Sequence, residues 1–486
     1  MAPPNRREFI TRAAAAVTAL VAGPLRPGGR TPHLEAATTG YTSLPTSPTL
    51  DGSSAAAGVV SREVWPGRPT ELWTYGGSYP SPTIRVRRGE IFTLRLDNHL
   101  PEPTNIHWHG LLVPSDMDGL PMDLAPPGAS LFYAFRVEQR AGTYWYHPHP
   151  DMRTGFQVYS GMAGFLIVED DEERALGLPA DEFDVPILLQ DRRLFADRSF
   201  RYAPTPMDLM NGYLGDVALA NGAPEARLPV AAALYRLRFL NGSNARIFRI
   251  AFADRRGFDV IATDGGLLER PRRATSFDLA PGERLEVLAD FSRDPVGGSL
   301  ALTSLPFALA GPMGGMGGPW AQGAEMTLLR FDVDRTGFSG AVPARLAPPR
   351  AFDAGRAPRT RRFLLDMGPG MMGMMGRPTI NGRSFDAHRI DERVPAETLE
   401  VWEVVNRSTM PHPFHAHGVQ FHVLERAGAR VLTAPQDLGL KDTVLLWPGE
   451  TVRLGVRVGQ HRGLFVMHCH NLEHEDTGMM SLFEIV

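Results

Sequence analysis

The chain has 486 residues, an apolar fraction of 43% and a formal net charge of −4, with acidic and basic residues interspersed. The length exceeds what one small core needs and points to about three domains, and the charge leaves no basic stripe for nucleic acid, which is excluded as a partner. A single cysteine, Cys469, excludes an internal disulfide framework.

From the N-terminus, Asn5-Arg6-Arg7-Glu8-Phe9-Ile10 followed by an apolar run from Ala13 to Ala22 resembles a twin-arginine export signal, with small residues at Ala36 and Ala37 where cleavage would fall. The run is about half of the ~20 residues a membrane-spanning helix needs. Residues 1–37 therefore read as a removed signal addressed to the twin-arginine translocase, which exports folded proteins. The product is expected in the periplasm or otherwise outside the cytoplasm, with no stable membrane span.

The rest of the chain repeats one unit. Phe92-Thr93-Leu94-Arg95-Leu96-Asp97-Asn98 alternates apolar and polar residues and ends in Asn. Tyr235 to Asn241 does the same, and Leu399 to Asn406 is a less strict third copy. Period-two alternation predicts a strand with one buried face. Each copy is followed by a Pro-Gly turn, at Pro127-Gly128, Pro281-Gly282 and Pro448-Gly449, that leads into another apolar strand. An all-β chain of three sandwich domains follows, over 38–172, 173–341 and 342–486.

The repeats locate four His-x-His pairs. His107 and His109 lie 9 and 11 residues after Asn98, as His415 and His417 do after Asn406. His147 and His149 lie 19 and 21 residues after Gly128, as His468 and His470 do after Gly449. The middle copy carries Ile250 and Phe252 at the first offsets, and its later strand carries Thr303 and Leu305. It keeps the scaffold and lacks the ligands. Side chains at i and i+2 of a strand share a face, so eight histidines from the terminal domains can surround a multinuclear metal site. Imidazole suits copper, zinc, iron and nickel; structural zinc favours several cysteines.

Cys469 lies between His468 and His470, so alternation aims its thiol away from their imidazoles, toward a second site. His412, His474 and Met479 are at hand. Two His, one Cys and a weak axial Met is the ligand set of a blue-copper electron-transfer site. The Cys–His linkage then joins an electron-accepting copper to an oxygen-reducing cluster.

At His107-Trp108-His109-Gly110, His147-Pro148-His149, His412-Pro413-Phe414-His415-Ala416-His417-Gly418 and the run from His468 to Met479, the sequence resembles the multicopper oxidases. The resemblance implies three consecutive cupredoxin-like Greek-key domains and four copper ions. His412, Cys469, His474 and Met479 would hold the type 1 copper. His107 and His415 would hold the type 2 copper. His109, His147 and His470 would hold one type 3 copper, and His149, His417 and His468 the other. No ligand position is lost, unlike in a non-catalytic branch acting in cell division. Asp118 and Glu475 match the family's proton-relay carboxylates.

For the electron donor, the sequence offers two segments rich in Met and Gly. One carries Met313 and Met316; the other carries Met367, Met371, Met372, Met374 and Met375. Thioethers are soft ligands that select Cu(I), and the chain resembles the periplasmic cuprous oxidases of copper tolerance. Met410, two residues before His412, matches a substrate-copper methionine of that branch, whereas Ser408 stands where the branch has a carboxylate, a gap that Asp366 could fill. The expected reaction couples four one-electron oxidations of Cu(I) to reduction of O₂ to two water. A laccase-like oxidase of phenols is the alternative, and a copper-binding or cell-division scaffold without activity is the other.

Overall fold

The asparagine that closes each repeat is the key to the architecture. In the computed structural model, which describes residues 42–50, 52–65, 67–195, 199–309, 321–349, 352–368, 376–428 and 434–486, Asn98, Asn241 and Asn406 end equivalent strands, Ile91–Asn98, Leu234–Asn241 and Leu399–Asn406. The Asn98 amide donates to the carbonyls of Glu102 (3.0 Å) and Ala125 (2.8 Å) and accepts from the Leu100 N–H (2.9 Å). Asn241 does the same with Arg246 (2.7 Å), Leu279 (2.8 Å) and Ser243 (3.0 Å). Asn406 repeats it with Met410 (2.7 Å), Leu446 (3.2 Å) and Ser408 (2.9 Å). Each Asn carbonyl then accepts from the glycine of its Pro-Gly turn, Gly128, Gly282 or Gly449, and those glycines sit at φ +81°, +82° and +74°, where a side chain would be strained. One buried amide thus ties a strand end, the loop after it and the turn that opens the next strand, satisfying backbone groups that would otherwise be buried unpaired.

Around these locks the described residues form six sheets in three sandwiches. The first packs a four-stranded sheet containing Ile91–Asn98 against Ile84–Arg87, Gly164–Glu169 and Gly142–Tyr146. The second pairs a seven-stranded sheet containing Leu234–Asn241 with a six-stranded one. The third is built from two five-stranded sheets; one contains Leu399–Asn406, the other His412–Ala416 and Gly463–Cys469. Apolar side chains fill each sandwich: Leu94, Leu96, Trp108 and Tyr146 in the first, Phe239, Phe248, Val287 and Phe331 in the second, Trp402, Phe414, Phe465 and Phe483 in the third.

Two expectations change. The alternation of Tyr235–Asn241 predicts one solvated face, yet every residue of Leu234–Asn241 is buried. Arg236 ion-pairs with Glu286 and Glu173, and Arg238 with Glu286 (3.0 Å) and Asp184 (2.6 Å), so charge neutralisation replaces water on the polar face. The middle counterpart of the second His pair also shifts by one residue. His107 bridges to His147 and His415 pairs with His468, whereas Ile250 pairs with Ser304, so Ser304, not Thr303, occupies the ligand register.

Candidate metal centre

Adjacent strands bring the four His-x-His pairs to one place where the first and third sandwiches meet. All eight imidazoles are buried. The rings of His107 and His417 stack at 3.7 Å, and those of His109 and His415 at 3.8 Å; each stack pairs a first-domain with a third-domain histidine.

Hydrogen bonds fix which nitrogen of His107, His109 and His415 faces inward. His107 Nδ1 donates to the Asp118 carbonyl (2.8 Å) and His415 Nδ1 to the Asp442 carbonyl (2.8 Å). Their Nε2 atoms are buried with no hydrogen-bond partner. His109 is turned the other way: Nε2 donates to Asp442 Oδ1 (3.0 Å), and Nδ1 faces His147 Nε2 at 3.4 Å. His417 Nε2 and His149 Nε2 converge on His468 Nε2 at 3.2 and 3.3 Å. His470 lies 5.0 and 5.3 Å, ring to ring, from His109 and His147, and neither of its nitrogens has a partner. Buried nitrogens without partners are costly unless a cation takes their lone pairs. Burial, together with the neighbouring imidazoles, pushes His107, His109, His415, His417 and His470 well below their ordinary range and His147 down to about 3. Neutral imidazoles are ready metal ligands.

Asp118 and Glu475 bond different imidazoles of this cluster. Asp118 Oδ2 is 2.6 Å from His417 Nδ1. Glu475 Oε2 is 2.9 Å from His468 Nδ1, and Oε1 is 3.6 Å from His149 Nδ1. Burial raises the Asp118 carboxyl, whereas the imidazoles beside Glu475 outweigh burial and hold it low.

On the far side of strand Gly463–Cys469 the thiol forms a second centre. Cys469 Sγ lies 3.3 Å from His412 Nδ1 and 3.6 Å from His474 Nδ1, and those two nitrogens are 3.2 Å apart. Met479 is fully buried in the apolar core that also holds Cys469, and its carbonyl accepts from the Cys469 N–H (3.0 Å). Asn471 caps the short helix Leu472–Asp476 that carries His474. Burial drives the thiol pKa up, so the thiolate form depends on a bound cation. The donor sets fit copper at both centres: imidazoles with open nitrogens at one, and two His with a cysteine sulfur at the other. Copper loading is expected to raise the melting temperature, since ligand at a thousandfold excess over Kd stabilises by about 4 kcal/mol; calorimetry of copper-free and copper-loaded protein checks this.

Both outward edges of the second centre are covered. His412 Nε2 donates to Ser408 Oγ (2.6 Å). His474 Nε2 donates to the Met210 carbonyl (2.7 Å), at the end of helix Pro206–Asn211 of the middle sandwich. Met410 is buried and bonded to Ser408 through its N–H (3.1 Å). Met367 packs against the third core, one residue from Asp366, whose carboxylate is 4.0 Å from Arg407 Nε. Met371, Met372, Met374, Met375, Met313 and Met316 lie outside the described residues, as does the signal segment. No helix among the described residues is long and apolar enough to cross a membrane.

Sequence reasoning missed Asp442, Met210 and Glu473. Glu473 holds the His474 helix to the middle sandwich by accepting from Tyr202 Oη (2.9 Å), the Tyr213 N–H (2.9 Å) and Asn244 Nδ2 (2.8 Å). For Asp442 the available signal was charge inside an apolar run, Lys441-Asp442 before Thr443–Leu446.

Family models described as multicopper oxidase match residues 59–173, 201–298 and 356–486. A multicopper oxidase of Staphylococcus epidermidis is 32% identical over 416 residues, covering 85% of this chain and 83% of the relative. A laccase of Bacillus subtilis is 31% identical over 478 residues, covering 86% and 90%. The crystal structure of the McoA multicopper oxidase of Aquifex aeolicus superposes with a TM-score of 0.82 at 33% identity, over 92% of this chain and 99% of that one. The chain belongs to the multicopper oxidase family. It is a copper-binding oxidoreductase of three cupredoxin-like domains that passes electrons from a reducing substrate to O₂.

Proposed function

We propose that this oxidase takes its electrons from Cu(I), as part of copper tolerance outside the cytoplasm, and reaches that compartment through the twin-arginine translocase. The observation that carries the reading is the covered edge of the His412–Cys469–His474 centre. A bulky phenol needs contact with an imidazole edge, but His474 Nε2 is engaged by the Met210 carbonyl and His412 Nε2 by Ser408. A small soft cation needs only thioethers at the end of a short path, and Met410 lies beside Ser408 while Met367 and Asp366 end the neighbouring strand Thr360–Met367. Softness of the donor selects Cu(I) over harder ions.

In this reading the chain holds four coppers: type 1 at His412, Cys469, His474 and Met479; type 2 at His107 and His415; type 3 at His109, His147 and His470 and at His149, His417 and His468. Bound copper supplies one-electron redox chemistry and the four-electron reduction of O₂ to water. The protein's part is to orient and connect. Cys469 is peptide-linked to His468 and His470, giving a covalent route from one centre to the other. Buried walls exclude water, and Asp118 and Glu475 stand where protons must be delivered. Full retention of the twelve ligand positions argues against a scaffold without activity.

The test is O₂ uptake by copper-loaded enzyme with Cu(I) and with a bulky phenol as donors. Replacing Met367, Met371, Met372, Met374 and Met375 together by Leu is expected to lower kcat/KM for Cu(I) by about tenfold, a loss of ~1.4 kcal/mol, while phenol oxidation holds or rises. Unchanged rates with both donors would remove the substrate role of the Met segment. A wild-type preference for the phenol would favour the laccase-like reading.

A further inference from the structure

The middle sandwich contributes none of the ten candidate histidine ligands, yet one of its side chains reaches the cluster. Arg284 opens strand Arg284–Asp290, two residues after the Pro281-Gly282 turn, and is fully buried. A guanidinium has five N–H donors, and here each finds an acceptor. Nε donates to the Thr143 carbonyl (3.0 Å). Nη1 donates to the Gly282 carbonyl (2.9 Å) and Asp442 Oδ1 (2.7 Å). Nη2 donates to the Asp264 carbonyl (3.0 Å) and Asp442 Oδ2 (2.6 Å). The acceptors come from all three sandwiches: Thr143 from the first, Gly282 and Asp264 from the second, Asp442 from the third.

Asp442 is the other half of the device. Its Oδ1 accepts from His109 Nε2 (3.0 Å) and Thr443 Oγ1 (2.9 Å), and its carbonyl accepts from His415 Nδ1 (2.8 Å). It therefore sets the tautomer and tilt of the two stacked rings, leaving His109 Nδ1 and His415 Nε2 for metal. A two-point grip by Arg284 fixes the plane of that carboxylate. The neighbouring backbone is shaped around the pair. A Cβ on Gly110 would fall 2.4 Å from Asp442 Oδ2 and 2.6 Å from Arg284 Nη2. A Cβ on Gly282 would fall 2.9 Å from His470 Cδ2 and 3.1 Å from His109 Cε1. Lys441, also fully buried, fastens the adjoining residue to Asp264 (3.0 Å) and Glu283 (3.3 Å) of the middle sandwich.

We propose that Arg284 is a positioning residue for the oxygen-reducing cluster: the domain without ligands clamps the Asp442 carboxylate that orients His109, and through it steadies the residue whose main-chain carbonyl holds His415. This rests on the reading that those two histidines hold copper. Loss of an outer partner of a metal ligand typically costs about 10–100-fold in metal affinity or activity, and that is the expected loss here.

The experiment compares wild type with Arg284→Lys, Arg284→Met and Asp442→Asn after copper reconstitution, reading copper per chain, type 1 absorption, the type 2 electron paramagnetic resonance spectrum and O₂ uptake. Type 1 absorption reports that the chain is folded, because Arg284 does not touch that centre. All three variants are expected to keep it while the type 2 spectrum shifts or weakens and copper affinity or turnover falls by about 10–100-fold. Should Arg284→Met fail to fold, Arg284→Lys decides alone, since lysine keeps the charge and loses the two-point grip. A wild-type copper content, type 2 spectrum and rate of O₂ uptake in Arg284→Lys would together overturn the proposal, leaving Arg284 a tie between domains even if thermal stability fell. Loss of type 1 absorption together with the type 2 signal in that variant would overturn it as well, because the effect would be general unfolding. Failure of the wild type to take copper at the histidine cluster would instead bring down the reading of the site itself.

Discussion

Replacing Cys469 by Ser is expected to remove the blue absorption of the copper-loaded enzyme and to lower O₂ uptake with every donor by ~10³-fold or more, the scale of loss when one member of a unit is deleted. The swap is nearly isosteric, so packing in the third core should change little. What changes is the donor. The thiol sits 3.3 and 3.6 Å from the two imidazole nitrogens with which it would share a cation, and burial holds it protonated without one. A seryl oxygen is harder and far more reluctant to ionise, so the soft ligand that marks this centre is lost. The His-x-His cluster lies on the opposite side of the strand and is expected to keep its copper, so the type 2 resonance should survive. Persistence of the blue colour in Cys469→Ser would refute the assignment of the centre.

Most of the candidate site was legible in the sequence because its ligands obey local rules. Period-two alternation puts His107 with His109, and His468 with His470, on common faces, and sets Cys469 against them. The repeat offsets were legible because each repeat is closed by the same asparagine lock, which fixes the number of residues between strand end, loop and turn. What was not legible is what depends on contacts between sandwiches. Asp442 and Arg284 are 158 residues apart in sequence, and no pattern within either strand says that they meet. The cover over His474 is a main-chain carbonyl, that of Met210, whose residue type carries no signal. The alternation of Tyr235–Asn241 misled for a related reason: Arg236 and Arg238 look solvated until Glu173, Asp184 and Glu286 are brought to them from other elements.

The role of the two acidic residues admits a sharper test than loss of activity. Asp118→Asn is expected to lower kcat by ~10²-fold, the lower end of what a positioned proton donor contributes, with blue absorption and copper content unchanged. Asparagine keeps the size of Asp118 and, through its carbonyl oxygen, an acceptor for the His417 Nδ1–H now 2.6 Å away, so the ring stays oriented. The side chain can no longer take up and hand on a proton. The turn itself is forced by packing rather than by the carboxylate, since a Cβ on Gly119 would fall 2.0 Å from the Ile106 carbonyl oxygen; a defect in Asp118→Asn is therefore not a defect of the turn. Glu475→Gln probes the second carboxylate, beside His468 and His149. If both carboxylates deliver protons to the same reaction, each variant should slow the reaction of pre-reduced enzyme with O₂ in stopped flow, and neither should slow anaerobic reduction of the type 1 centre by the donor. Equal rates of O₂ reaction in wild type and both variants would remove the proton-relay role and leave these carboxylates as supports for the imidazoles.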